Sequence, residues 1–126
     1  MSEIIPNVSN EPAQIRLSNK GHAILTHMKE DGQLDDMADG YRLGIALALA
    51  SGAIPSDFPV DNRNYIAVST LDPNGEIAAA IRLLVDLQGQ STYRYAERLA
   101  DWGIKELDER FKGGFLDVAS LMSQEK

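Results

Sequence analysis

Residues 15–51 read I-R-L-S-N-K-G-H-A-I-L-T-H-M-K-E-D-G-Q-L-D-D-M-A-D-G-Y-R-L-G-I-A-L-A-L-A-S, and this stretch decides the fold. Apolar and polar side chains alternate over residues 12–18, which is typical of a half-buried strand. A helical pattern follows, for which Ser18 is a suitable N-cap and Gly32 a suitable stop. A second, far more apolar helix comes next. The sequence therefore predicts a strand-helix-helix unit over residues 12–52.

The second helix carries small residues at intervals of four, and such positions share one face of a helix. Small side chains on one face let another backbone come close. The helix is also apolar around most of its circumference, which predicts burial on most sides, partly against another subunit. We therefore predict a homo-oligomer, a dimer or higher, whose interface contains Gly40, Gly44, Leu47 and Ala48.

The rest of the chain is predicted to cover this unit within a single domain over residues 12–126. The predicted fold class is mainly α with two short strands (α+β). Asp72 is either the first residue of a turn that leads into a helix, which we favour, or a helix N-cap. The predicted segments are a loose tail (1–11), a connecting loop (51–64), a second strand (65–71), a turn and helix (72–89), the longest helix (92–111) and a last short helix (115–122).

Composition narrows the classes of function. The chain has 126 residues, no cysteine and a formal net charge of −7. The absence of cysteine excludes disulfides and thiolate metal sites, and it fits a reducing compartment. Neither an apolar leader nor a membrane-spanning run is visible, so we predict a cytoplasmic protein without a membrane partner. The negative charge counts against strong, sequence-independent binding of nucleic acid, although it is compatible with a local basic patch.

Residues that could carry catalysis or bind a metal do not form a recognised pattern. His22 and His27 are five residues apart and do not share a helix face. The acidic residues over 30–39 lack the spacing of a calcium loop and suit helix caps instead. The motifs of serine hydrolases, P-loops, zinc proteases and dinucleotide-binding folds do not occur. We therefore predict no catalytic residue, metal or cofactor, and an enzyme is the least favoured class.

Arg16 lies on the outward face of the predicted first strand, between Gln14 and Ser18. Two such strands paired across a two-fold axis would form a ribbon that fits the major groove of DNA, and Arg and Gln are base-reading residues. The alternative is a solvated edge strand with ordinary polar residues. The negative charge of the chain favours this alternative.

The order of strand, helix, glycine turn and helix over residues 15–51 resembles the ribbon-helix-helix superfamily of dimeric DNA-binding proteins. Within it, I-R-L-S (15–18) and Y-R-L-G-I-A-L-A-L (41–49) resemble the small E protein family of DNA phosphorothioation (sulfur-modification) systems. The resemblance covers less than a third of the chain. It implies an intertwined or higher oligomer associated with DNA, and Lys20 as a neighbour of a phosphate beside the outward ribbon. The chain departs from that family in its acidity and in its second half.

Tyr95 and Trp102 mark a candidate partner surface on the longest helix, because Trp and Tyr are enriched at interface hot spots. The alternative is that the C-terminal segment of the chain itself covers both rings. The function that we predict is a DNA-associated accessory or regulatory protein of ribbon-helix-helix type. The alternative function is an acidic, oligomeric protein–protein interaction module that binds no nucleic acid.

Overall fold

A computed structural model describes residues 11–55 and 57–112, and in this part of the chain five helices surround a two-stranded antiparallel sheet. The predicted mainly α fold with two short strands is confirmed. Residues 1–10 of the predicted tail (1–11) and the last predicted helix (115–122) lie outside the described residues. The elements are β1 (Gln14–Ser18), α1 (Asn19–Glu30), α2 (Met37–Ser51), β2 (Asn62–Ala67), α3 (Val68–Leu71), α4 (Glu76–Leu84) and α5 (Thr92–Lys112).

The strand-helix-helix unit forms from local signals that the sequence displays. The Ser18 hydroxyl accepts the backbone N–H of Gly21 at 2.9 Å and so caps α1. Asp36 caps α2 in the same way, through the N–H of Ala38 at 3.0 Å. Gly52, with φ of 68°, ends α2 in a left-handed conformation that favours glycine. These interactions satisfy helix ends that would otherwise leave backbone groups unpaired.

The second strand differs from its predicted bounds. β2 begins at Asn62 rather than at residue 65, pairs antiparallel with β1, and ends at Ala67, where the chain turns into the short helix α3. The N–H of Val68 still donates to the carbonyl of Ala13 at 2.8 Å. Gln14, the first residue of β1, is the partner of Ala67, the last residue of β2, so the two strands end together.

The long helix α5 is the centre of the tertiary structure, and its most extensive contact is with α2. The glycine face of α2 lies directly on α5, since an added Cβ at Gly103 would overlap the main chain of Gly44. Ala100 and Ile104 of α5 are fully buried in this contact. The core contains Ile15, Leu17, Ile24, Leu25, Met28, Tyr41, Ile45, Ala48, Leu71, Ile81, Tyr95, Ala96, Leu99, Ala100, Ile104 and Leu107.

This packing corrects part of the predicted oligomer interface, namely Gly40, Gly44 and Ala48, and leaves oligomer formation itself a prediction. Gly44 faces α5 of the same chain, whereas Gly40 faces the side chains of Leu25 and Leu34. Ala48 is fully buried and Leu47 is half-buried against the core. The small residues do admit a close neighbour, as their spacing predicted, but the neighbour of Gly44 is a helix of the same chain.

Two acidic residues cap the N-terminal ends of helices α5 and α4. The Glu11 carboxylate accepts hydrogen bonds from the Ser91 hydroxyl at 2.7 Å and from the backbone N–H groups of Thr92 and Tyr93 at 2.8 and 3.1 Å. Burial raises the pKa of Glu11, but these hydrogen bonds outweigh burial and lower it overall. Glu11 therefore caps α5 and does not belong to a loose tail.

Asp72 plays the equivalent part at α4. Residues 72–75 form the favoured turn, with the Gly75 N–H donating to the Asp72 carbonyl at 3.1 Å. The Asp72 carboxylate accepts the N–H groups of Ile77 and Ala78 and the hydroxyl of Tyr93. Burial raises the pKa of Asp72, and the three hydrogen bonds together lower it below its ordinary value.

Within the described residues, no helix has the length and apolar character to cross a bilayer.

Candidate functional site

The side chain of Arg16, the centre of the predicted DNA-reading ribbon, lies against α5. Its Nη2 is 2.7 Å from Oε1 of Glu97, and its Nε is 3.1 Å from both carboxylate oxygens. The backbone N–H of Arg16 donates to Oε2 of Glu97 at 2.7 Å, and the Tyr41 hydroxyl donates to the Arg16 carbonyl at 2.8 Å. Arg16 therefore joins β1 to two helices through both its side chain and its main chain.

The partner carboxylate is fully buried, and its charge is compensated from two sides. Glu97 is 0% exposed, and it also accepts a hydrogen bond from Nη1 of Arg94 at 2.8 Å. The hydrogen bond with Glu97 raises the pKa of Arg16, and the guanidinium lies 5.0 Å above the ring of Phe58. Burying a carboxylate without a charged partner costs free energy. The two arginines therefore have a structural role, which is to compensate the charge of Glu97.

The remaining residues of the predicted ribbon are divided between interior and surface. Ser18 is 1% exposed, and its hydroxyl donates to Asp101 at 2.6 Å. Gln14 and Lys20 are exposed. One edge of β1 is paired with β2 of the same chain, and at Arg16 the other edge is bonded to Glu97. Both main-chain groups of Arg16 on that edge are therefore bonded within one chain, which opposes the assumed pairing of two β1 strands across a two-fold axis at this residue. DNA binding itself stays a prediction.

An exposed apolar strip runs along the side of α2. We call Leu43, Ala46, Leu47 and Ala50 the outer strip; Leu47 is half-buried, and the other three are exposed. Leu43 is 45% exposed. The spacing i, i+3, i+4, i+7 is that of a helix seam, and the strip holds no charged side chain. Of the four residues in the predicted interface, only Leu47 belongs to the outer strip; Gly40, Gly44 and Ala48 face the interior.

A groove lies at the C-terminal end of α2. Leu49, Ile54, Leu84, Tyr95 and the side chain of Asp86 are among its lining residues, and its volume is about 320 Å³. Ile54 is 90% exposed and Leu84 is 64% exposed. Tyr95, in contrast, is only 8% exposed and belongs to the core, which corrects its assignment to a partner surface.

Trp102 remains partly exposed and lines a separate cavity. Tyr95 and Trp102 therefore do not form one aromatic surface.

Within residues 11–55 and 57–112, no three histidine or carboxylate side chains are grouped closely enough to hold a metal ion. Comparison with models of protein families, with characterised proteins and with solved structures finds no match to this chain.

Proposed function

We propose that this chain is a protein–protein interaction module that self-associates through the outer strip of α2. The observation that carries the proposal is the exposure of an apolar seam on a helix whose glycine face is already filled by α5. Leu43 is 45% exposed although it lies next to fully packed positions of the same helix. An apolar seam of this spacing is the surface that one helix presents to another.

The outer strip carries no charge, and this favours a second copy of the acidic chain as its partner. Each chain has 19 acidic and 12 basic residues, so two copies repel each other over most of their surfaces. The outer strip has no charge, and Asp39 and Arg42 beside it neutralise each other in an ion pair of 2.8 Å. A two-fold interface uses the same patch on both chains, so an uncharged patch avoids placing like charges opposite each other.

The exposed apolar residues at the groove beside the strip could add to the area that a self-association interface buries. A stable interface buries roughly 1,200–2,000 Å² in total, which is more than a single helix strip provides. Ile54 and Leu84 adjoin the C-terminal end of α2 and are largely exposed. Their burial in the same contact would enlarge the apolar area. The DNA-associated function has less support, because Arg16 is bonded to Glu97 and the chain is acidic.

Light scattering coupled to size-exclusion chromatography tests self-association directly. The wild-type chain should elute as a dimer or higher oligomer, and Leu43→Glu should shift it to a monomer because a charge enters the seam. Val60→Glu is the control: Val60 is 98% exposed in the loop before β2, outside the strip and the groove. A monomeric wild type, or equal dissociation by both variants, would refute the proposed interface.

A further inference from the structure

The groove at the C-terminal end of α2 is mostly apolar and opens to solvent. Leu49 and Ile54 come from α2 and the loop after it, and Leu84 and Val85 come from the C-terminal end of α4. Asp86 is the only charged residue in its lining. We call this cavity the Leu84 groove. Because Ile54 and Leu84 are both largely exposed beside one cavity, the groove is typical of a surface that another segment covers.

The described part of the chain begins close to this groove, at Glu11. The Glu11 carboxylate accepts the backbone N–H of Thr92 at 2.8 Å, and the Thr92 hydroxyl accepts Nε of Arg82 at 3.1 Å. Leu84 lies two residues beyond Arg82, at the end of the same helix. Tyr95, which also lines the groove, lies in the same first turn of α5 as Thr92. The cap on α5 therefore holds residue 11 near one wall of the Leu84 groove.

The segment that precedes Glu11 has the length and composition to occupy the groove. Residues 1–10 read M-S-E-I-I-P-N-V-S-N, with three β-branched apolar side chains, Ile4, Ile5 and Val8, and one acidic side chain. Ile4 is seven residues from Glu11, and an extended chain of that length spans roughly 23–25 Å. Pro6 disfavours a helical conformation of Ile5, so the sequence favours an extended segment. The isoleucines can therefore reach the groove while Glu11 keeps its hydrogen bonds.

Other occupants are less well placed. Residues 113–126 follow Lys112 at the opposite end of α5, about 25 Å from Tyr95 at a rise of 1.5 Å per residue. The same segment of a second copy would have to compete with one that Glu11 holds at an effective concentration on the order of millimolar. A second copy also brings a further net charge of −7.

We propose that residues 4–8 dock in the Leu84 groove of their own chain, with an isoleucine side chain against Ile54 and Leu84. None of the residues that line the groove belongs to the outer strip, so the docking does not depend on self-association through Leu43. With the groove occupied, the docked segment covers Ile54 and Leu84 and takes their place in any contact that the outer strip makes.

Disulfide trapping tests the docking directly, because the chain has no cysteine of its own. Asn7→Cys with Asp86→Cys places one thiol in the segment and one at the groove, and it leaves every apolar side chain in place. Asn7→Cys with Glu76→Cys is the matched control, since Glu76 is an exposed carboxylate at the other end of α4, outside the groove.

The two full-length variants would be oxidised mildly, and each rate would be divided by the rate at which the Asp86→Cys or Glu76→Cys thiol reacts with a small disulfide reagent. The Asp86 pair should form a disulfide within one chain about tenfold faster than the Glu76 pair, or faster still, because burial of an isoleucine favours the docked arrangement by at least that factor.

The apolar side chains of the segment should account for this preference. Ile4→Ser and Ile5→Ser together should lower the rate of the Asp86 pair to that of the Glu76 pair, whereas Ser2→Ala and Ser9→Ala together should leave it unchanged. Electrophoresis without reductant separates disulfides within a chain from those between chains. Equal rates in the two pairs, a preference that survives the serine substitutions, or disulfides formed only between chains would each overturn the proposal.

Discussion

Replacing Gly103 with alanine should destabilise the chain far more than the same change at Gly44, although the two glycines face each other. A Cβ on Gly103 would overlap the carbonyl group of Gly44 and lie 2.6 Å from its Cα. A Cβ on Gly44 would lie 3.0 Å from the carbonyl oxygen of Ala100 and 3.0 Å from Cγ1 of Ile104. Carbon atoms prefer a separation of about 3.5–4.0 Å, so the overlap at Gly103 forces the helices apart, whereas the contacts at Gly44 require a much smaller shift.

The magnitudes follow from two opposing effects. Alanine in place of glycine inside a helix gains roughly 0.5–1 kcal/mol through backbone entropy. An additional methyl group in a packed core costs about 1–3 kcal/mol, and more when the neighbour cannot move. The neighbour of Gly103 is main chain of α2, so Gly103→Ala should lose ~3 kcal/mol or more. At Gly44 a shift of a few tenths of an ångström suffices, and the net loss should be roughly 0–1 kcal/mol.

Urea denaturation followed by circular dichroism measures this difference. Both variants and the wild type should be compared at one protein concentration, because self-association would itself raise the apparent stability. The slope of the unfolding free energy against urea concentration should be the same in the variants and the wild type. An equal slope shows that the variants differ in stability and not in the compactness of the folded or unfolded state. Equal losses in the two variants, or a loss below about 1 kcal/mol in Gly103→Ala, would refute the packing argument.

Two further predictions concern polar groups. Arg16→Ala should lower the free energy of unfolding by about 1–3 kcal/mol, because buried Glu97 keeps only Arg94 as a charged partner. In denaturant melts its control is Arg63→Ala, at an exposed position of β2. If Arg16→Ala instead lost DNA binding while its stability stayed unchanged, the ribbon hypothesis would be favoured. Asp72→Asn should cost ~1 kcal/mol at neutral pH, as the loss of a capping carboxylate does. Because the pKa of Asp72 is lowered by folding, its contribution is present above the unfolded pKa and disappears as pH falls through the folded pKa. Melts from about pH 7 to pH 3 should therefore show a flatter loss of stability in Asp72→Asn than in the wild type, and parallel curves would contradict this assignment.

The sequence alone determined most of the helices, because the signals that begin and end a helix act over a few residues. The Ser18 cap and the left-handed glycine after α2 are visible as residue types at fixed spacings. The strand at residues 65–71 was predicted less well, because its bounds depend on a partner. β2 includes the polar residues 62–64 since β1 lies beside them.

Tertiary structure alone decided which partners these elements have. The spacing of Gly40 and Gly44 predicts a close neighbour, yet nothing in that spacing distinguishes a second subunit from α5, which carries Gly103. Likewise, the alternation around Arg16 predicts an outward polar side chain but not the buried carboxylate of Glu97 that binds it. Local patterns report only which face of an element is apolar or polar. The group that covers that face comes from a distant part of the chain, and only folding brings it there.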